Sequence, residues 1–293
     1  MDLGRIITAM ISPMAKDGSL DYQGAQTLAE HLLDHGSDSL VVTGTTGESP
    51  TLSFAEKLKM YSAVHEVCAA RRKMLIAGTS GNNTAEAVEL SKKAESLGAD
   101  AILAVVPPYN KPTQEGLYQH FNAIAHAVSL PVILYNVPSR TVVNLEPETV
   151  ARLSQTENII AIKEASPNMD EVSQLRCLLP DSFKIYAGDD SLLLPMMALG
   201  ACGVVSVASH FIGTQLQKMI DFFEQGKIAD AAAIHKKYFS LFRALFVRTN
   251  PVPTKYALEK MGLPAGPCRL PLVELDDGPR TVVDNALKNA ALI

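Results

Sequence analysis

Cysteine is scarce in this chain, and its four copies lie far apart: Cys68, Cys177, Cys202 and Cys268, with no Cys-x-x-Cys pair and no histidine at ligand spacing. That pattern argues against a disulfide framework and against a zinc site. No unbroken apolar run is long enough to span a bilayer as a helix. The short apolar stretch 6–11 has no basic region ahead of a long hydrophobic segment, so it does not read as a signal peptide. Basic clusters are limited to Arg71-Arg72-Lys73 and Lys236-Lys237, simplest as solvated helix ends, and the net charge is −5. Nothing here points to nucleic acid. The glycine pattern of a dinucleotide-binding turn is missing as well. The seven histidines are scattered, mostly at expected helix positions, and suggest no metal. The expectation is a reduced, cytoplasmic protein with no metal and no nucleic-acid or membrane partner.

What is present is 293 residues, 47% of them hydrophobic, enough for one large α/β domain or two ordinary ones. Short apolar, β-branched segments recur at 5–12, 39–43, 74–78, 101–106, 132–136, 159–163, 184–187 and 204–207. Helical periodicity fills most gaps, clearest over 54–70 and 84–97. Thr84 with Glu86 resembles a helix cap, Gly98 a C-terminal glycine, and Thr113-Gln114-Glu115 opens a helix after Pro112. Ile102-Leu103-Ala104-Val105-Val106 shows no polar alternation, which suggests a parallel strand buried on both faces. Eight βα units predict a (β/α)8 TIM barrel over 1–226, with a small C-terminal helical region over 227–293. A doubly wound open sheet gives the same alternation and is the main rival.

A barrel places its chemistry just after the strand C-termini. The unusual polar residues fall there: Gly44-Thr45-Thr46-Gly47-Glu48, Tyr109-Asn110, Tyr135-Asn136 with Arg140, Lys163, and Gly188-Asp189-Asp190. Each has a bland alternative. The glycine-threonine run could be a turn feeding a helix, Tyr135 a core edge, and Asp189 a cap for a helix over 192–199.

Lys163 is the most telling of them, because it ends the apolar run Ile159-Ile160-Ala161-Ile162. An amine held among apolar groups loses affinity for its proton, and a neutral amine is a nucleophile that forms a Schiff base with a carbonyl. The bland reading is an aliphatic stem on the core with its ammonium reaching water. If the rim residues converge, Tyr135 is placed for acid–base work, Thr45 for hydrogen bonding a tyrosine hydroxyl, and Thr46 with the turn amides for holding a carboxylate. Arg140 suits a second carboxylate, held bidentately. His210 follows the last strand and is assigned no role.

Gly44-Thr45-Thr46-Gly47-Glu48-Ser49, Tyr109-Asn110-Lys111-Pro112, Tyr135-Asn136-Val137-Pro138-Ser139-Arg140-Thr141, Ile162-Lys163-Glu164-Ala165 and Gly188-Asp189-Asp190 together resemble the dihydrodipicolinate synthase family of pyruvate-dependent class I aldolases. The resemblance runs nearly end to end and includes Asn250-Pro251-Val252-Pro253-Thr254-Lys255. It implies condensation of pyruvate with L-aspartate 4-semialdehyde to give 4-hydroxy-tetrahydrodipicolinate, in lysine and diaminopimelate biosynthesis. It implies no cofactor beyond the covalent imine on Lys163, and a homotetramer built as a dimer of dimers. Thr45, Tyr109 and Tyr135 match a proton relay, with Tyr109 reaching in from a neighbouring subunit. Thr46 matches the pyruvate carboxylate contact, Arg140 the semialdehyde carboxylate contact, and Gly188 and Val205 pocket-lining backbone. Where lysine-inhibited members carry histidines and a tyrosine at an interface site, this chain has Phe54, Lys57 and Pro108, although Asn82 and Glu86 still match. Weak lysine inhibition is the expectation. Two alternatives stand beside this reading: a sister lyase acting on N-acetylneuraminate or 2-keto-3-deoxy sugar acids, and a non-catalytic metabolite-binding barrel.

Overall fold

Eight parallel strands close into a barrel in sequence order, the eighth pairing with the first. This computed structural model describes residues 2–79 and 81–293. The strands are β1 (Ile6–Ala9), β2 (Ser39–Val42), β3 (Met74–Gly78), β4 (Ala101–Val105), β5 (Val132–Asn136), β6 (Ile159–Glu164), β7 (Lys184–Ala187) and β8 (Gly203–Ser206). A doubly wound sheet has open edges, so closure of β8 on β1 settles the architecture as a (β/α)8 barrel.

The uniformly apolar strands are explained by two separate cores. In β4, Ala101 and Leu103 point into the barrel with Ile7, Val41, Ile76, Ile133, Ala161 and Val205. Their neighbours Ile102 and Ala104 point outward and pack with the surrounding helices. Period-two alternation is therefore present, with apolar residues on both faces.

Helix ends follow local chemistry. Helix Phe54–Ala70 starts with a full capping box, Ser53 with Glu56. Helix Gln114–Ala127 is capped by Thr113, as its sequence suggests. The cap expected at Thr84 lies one residue earlier: Asn83 accepts from the Ala85 N–H, while the Thr84 hydroxyl is hydrogen-bonded to His120. Gly98 follows that helix with φ +87, a conformation glycine adopts without strain. Asp189 caps only a short turn, Asp190–Leu192, ahead of helix Leu193–Ala198.

After β8 the described residues contain helices and no further strand. Helix Ile228–Ala244 packs on helices Ser209–Glu224 and Asp277–Asn289. Helix Val252–Lys260 turns back toward the barrel mouth. Its Lys255 forms an ion pair with Glu48 at 2.6 Å, the side chains being 3% and 1% exposed. Lys255 Nζ also donates to the Pro267 carbonyl, and the Arg269 N–H donates to Glu48. The helical region is thus bound to the loop after β2 through a buried charge pair.

Candidate active site

All eight strand C-termini open on one rim, and a cavity of about 680 Å³ lies there. Thr45, Tyr135 and Arg140 line it. The loop from β2 reaches the cavity through a close passage beside Gly78. A Cβ there would sit 2.8 Å from both the Gly44 nitrogen and the Thr43 carbonyl oxygen, so a side chain would displace the loop. The Ser12 hydroxyl donates to the Gly47 carbonyl, and the Tyr61 hydroxyl donates to the Gly78 carbonyl. These contacts hold the Gly44–Gly47 turn from below.

Tyr135, Lys163 and Tyr186 sit side by side on adjacent strands. Strand periodicity turns all three toward the barrel axis. Lys163 is 6% exposed, and its Nζ lies 4.1 Å from the centroid of the Tyr135 ring. Among the described residues no carboxylate lies within ion-pair range of that amine. Tyr186 points to the opposite end, its hydroxyl donating to the Gly4 carbonyl, and so belongs to the barrel floor.

Neighbours on the outward face do different work. Glu164 follows Lys163 in sequence, yet its carboxylate accepts from the Asn136 amide and the Ser166 N–H. Burial pushes that carboxyl up to about 7. Asp190 accepts from the N–H groups of Val207 and Ala208 and from the Ser206 hydroxyl, fixing the turn after β8, and burial raises it to about 6. His210 lies fully buried behind that turn. It accepts from the Ile11 N–H, faces the Val207 carbonyl through Nδ1, and is pushed down to about 4 by burial. A neutral ring with both nitrogens engaged has a packing role.

Val205 belongs to the same inward cluster as Tyr135. The Gly188 N–H donates to the Glu164 carbonyl, and a Cβ at Gly188 would meet Ala165 at 2.5 Å, so the β7 turn lies against the end of β6. The Thr46 hydroxyl accepts from the Asn250 side-chain amide at 2.8 Å. Arg140 is exposed and donates to the Asn250 carbonyl at 3.4 Å. Thr45 and Tyr135 share the cavity but are not hydrogen-bonded to each other among the described residues. Tyr109 stands apart: it is 88% exposed, with a strained φ of +77, and does not line this chain's cavity. Asn250 is the contact sequence reasoning missed. Its segment carries the family resemblance, but nothing local announces a partner at Thr46. Phe54, Lys57, Asn82, Glu86 and Pro108 also line this cavity.

A buried amine beside a tyrosine, a glycine-threonine turn and an exposed arginine make up a site for carbonyl chemistry on an acidic substrate. The described residues include no cluster suited to a metal ion, and no helix among them is long and apolar enough to cross a membrane.

Known proteins carry the same plan. A family model described as the dihydrodipicolinate synthetase family matches residues 2–290. A 4-hydroxy-tetrahydrodipicolinate synthase of Moorella thermoacetica is 50% identical over 293 residues, covering 100% of both chains. Among solved structures, DHDPS from Cyanidioschyzon merolae with lysine bound superposes with a TM-score of 0.98 at 45% identity, over 99% of each chain. The chloride-inhibited dihydrodipicolinate synthase from Acinetobacter baumannii complexed with pyruvate gives a TM-score of 0.96 at 41% identity, over 100% of each chain.

Proposed function

Since this chain belongs to the dihydrodipicolinate synthetase family, we propose that Lys163 forms a Schiff base with pyruvate and that the resulting enamine condenses with L-aspartate 4-semialdehyde. The activity is that of a lyase making 4-hydroxy-tetrahydrodipicolinate, on the route to lysine and diaminopimelate. The carrying observation is the Lys163 amine, buried at a strand end over the Tyr135 ring with no carboxylate partner among the described residues.

The amine attacks the ketone carbon of pyruvate, and the carbinolamine loses water to give the imine. The imine nitrogen draws electrons from the methyl carbon, which loses a proton to become the enamine. The enamine carbon attacks the aldehyde, whose oxygen takes up a proton. The amino group of the joined chain then displaces Lys163 from the imine carbon, closing the ring and freeing the lysine. The protonated imine is the electron sink, so this reading assigns no cofactor.

Tyr135 moves protons beside Lys163, and Thr45 joins it from the same cavity. Tyr109 completes the relay from a neighbouring subunit. Its exposure supports this, as does the exposed, left-handed Val142 close to Arg140. The assembly is read as a homotetramer in the cytoplasm. Thr46 and the turn amides hold the pyruvate carboxylate, with backbone at Gly188 and Val205 lining the pocket. Arg140 holds the carboxylate of the semialdehyde.

The test is a coupled assay in which the next reductase of the route consumes the product, with sugar acids offered in parallel. Turnover of the semialdehyde with negligible sugar-acid cleavage is expected. The reverse pattern would move the protein to a sister lyase, and unmodified Lys163 after pyruvate and borohydride would favour a non-catalytic barrel.

Arg140→Ala separates the two substrates. Loss of a bidentate, charge-assisted contact is expected to lower kcat/KM for the semialdehyde by about a hundredfold or more. Borohydride trapping of pyruvate on Lys163 should stay within about twofold of the parent, as the arginine does not serve that step. Equal loss of both steps would sink its assignment.

Free lysine is expected to inhibit weakly. Along the cavity wall Phe54 and Pro108 offer no side-chain hydrogen bond, and Lys57 adds a cation beside a cationic ligand. Burial lowers the Lys57 pKa below its usual value, and Glu86 opposes that shift. Less than half inhibition at about 1 mM lysine is expected, a binding free energy weaker than about −4 kcal/mol. Half inhibition well below that concentration would refute it.

A further inference from the structure

We propose that Asn250 is a positioning residue that aims the Thr46 hydroxyl at the pyruvate carboxylate. The inference rests on the reading of Thr46 given above.

A hydroxyl has one hydrogen to give and lone pairs to receive. The Asn250 amide Nδ2 donates to Thr46 Oγ1 at 2.8 Å, both residues being buried. This fills the acceptor side of the hydroxyl and leaves its hydrogen for a ligand. An asparagine amide presents either end to a neighbour, and here the orientation is supported from behind. The Thr254 hydroxyl, in the first turn of helix Val252–Lys260, donates to Asn250 Oδ1 at 2.9 Å. With the oxygen held there, only the NH2 end faces Thr46. A reversed amide would take the threonine hydrogen for itself and turn a carbonyl oxygen toward an anionic substrate.

The same residue touches the second carboxylate site through a different group. The backbone carbonyl of Asn250 accepts from Arg140 Nη2 at 3.4 Å. Side-chain substitutions at this position therefore act on the pyruvate side and spare the contact to Arg140. A merely structural residue would not divide its effects in that way.

The experiment measures the pyruvate concentration that half-saturates borohydride trapping at Lys163, together with the KM for the semialdehyde, in the full-length enzyme. Asn250→Ala is expected to raise pyruvate half-saturation about tenfold, the scale of one buried hydrogen bond, and to leave the semialdehyde KM within about twofold. Asn250→Asp keeps the shape but accepts where the amide donated and adds a negative charge, so about a hundredfold is expected. Thr254→Val frees the amide to turn while leaving Asn250 in place. It is expected to raise pyruvate half-saturation about threefold with a melting temperature near the parent's. This variant keeps the proposal open to refutation if the Asn250 variants fail to fold.

Thr46→Val separates this inference from the reading beneath it. If Thr46→Val leaves pyruvate half-saturation unchanged, the carboxylate assignment falls and the inference falls with it. If Thr46→Val raises it and the Asn250 and Thr254 variants do not, the assignment stands and Asn250 is only structural. Under the proposal, Asn250→Ala adds little in the Thr46→Val background, because both remove one interaction. Equal rises for both substrates would likewise overturn it.

Discussion

Lys163→Ala is expected to lower turnover by about a thousandfold or more and to leave the fold in place. The first effect follows from the chemistry: without the amine there is no imine, no enamine and no carbon nucleophile. The second follows from the packing. The Lys163 amine lies over the Tyr135 ring, and no carboxylate among the described residues is paired with it. Removing it leaves no buried anion behind, only the space of a few methylenes near a cavity that already opens to solvent. The checks are kcat, borohydride trapping of pyruvate followed by intact mass, and thermal melting. Loss of activity together with gross unfolding would refute the separation, and residual trapping at the parent's level would refute the nucleophile.

Lys255→Met is expected to do the opposite, destabilising the protein by about 3–5 kcal/mol, the cost of leaving one member of a buried ion pair alone. Lys255 and Glu48 are 2.6 Å apart and nearly inaccessible, so neither charge has water to fall back on. The Glu48 carboxylate would keep the Arg269 N–H and lose its cation. Urea unfolding should show a lower midpoint for Lys255→Met. The double variant Lys255→Met with Glu48→Gln should recover much of the loss, since the orphaned charge is then gone. A midpoint within about 1 kcal/mol of the parent would show that the pair contributes little. The two buried lysines thus carry contrasting expectations: Lys163 has no carboxylate partner among the described residues and is expected to matter for turnover, whereas Lys255 is paired and is expected to matter for stability.

The barrel was legible because both faces of each strand are apolar for separate reasons, as the alternation of Ala101 and Leu103 with Ile102 and Ala104 shows. Strand ends were less legible. The sequence suggests a first strand over 5–12, whereas the strand ends at Ala9; Met10 and Ile11 are buried in the loop beyond it and so look like more strand. Lys163 and Tyr135 were legible from one strand each, since their position after an apolar run is local information. The bond from Asn250 to Thr46 was not, because it joins residues 204 positions apart and neither end carries a pattern that names the other. Tyr109 is singled out by resemblance alone, and in this chain it is exposed and does not line the cavity. Glu164 shows how adjacency in sequence misleads: one step along a strand reverses the face, so the neighbour of Lys163 serves the wall behind it.

The span between Thr46 and Asn250 also bears on when the enzyme becomes competent during synthesis. All eight strands, including the β6 strand that carries Lys163, emerge from the ribosome before residue 250. Until residues 250–255 are made, Thr46 lacks the Asn250 amide, Glu48 lacks Lys255, and Arg140 lacks the Asn250 carbonyl. Contacts this distant in sequence form late. If Thr46 holds the pyruvate carboxylate as proposed, its seating waits on the docking of the helices that follow β8.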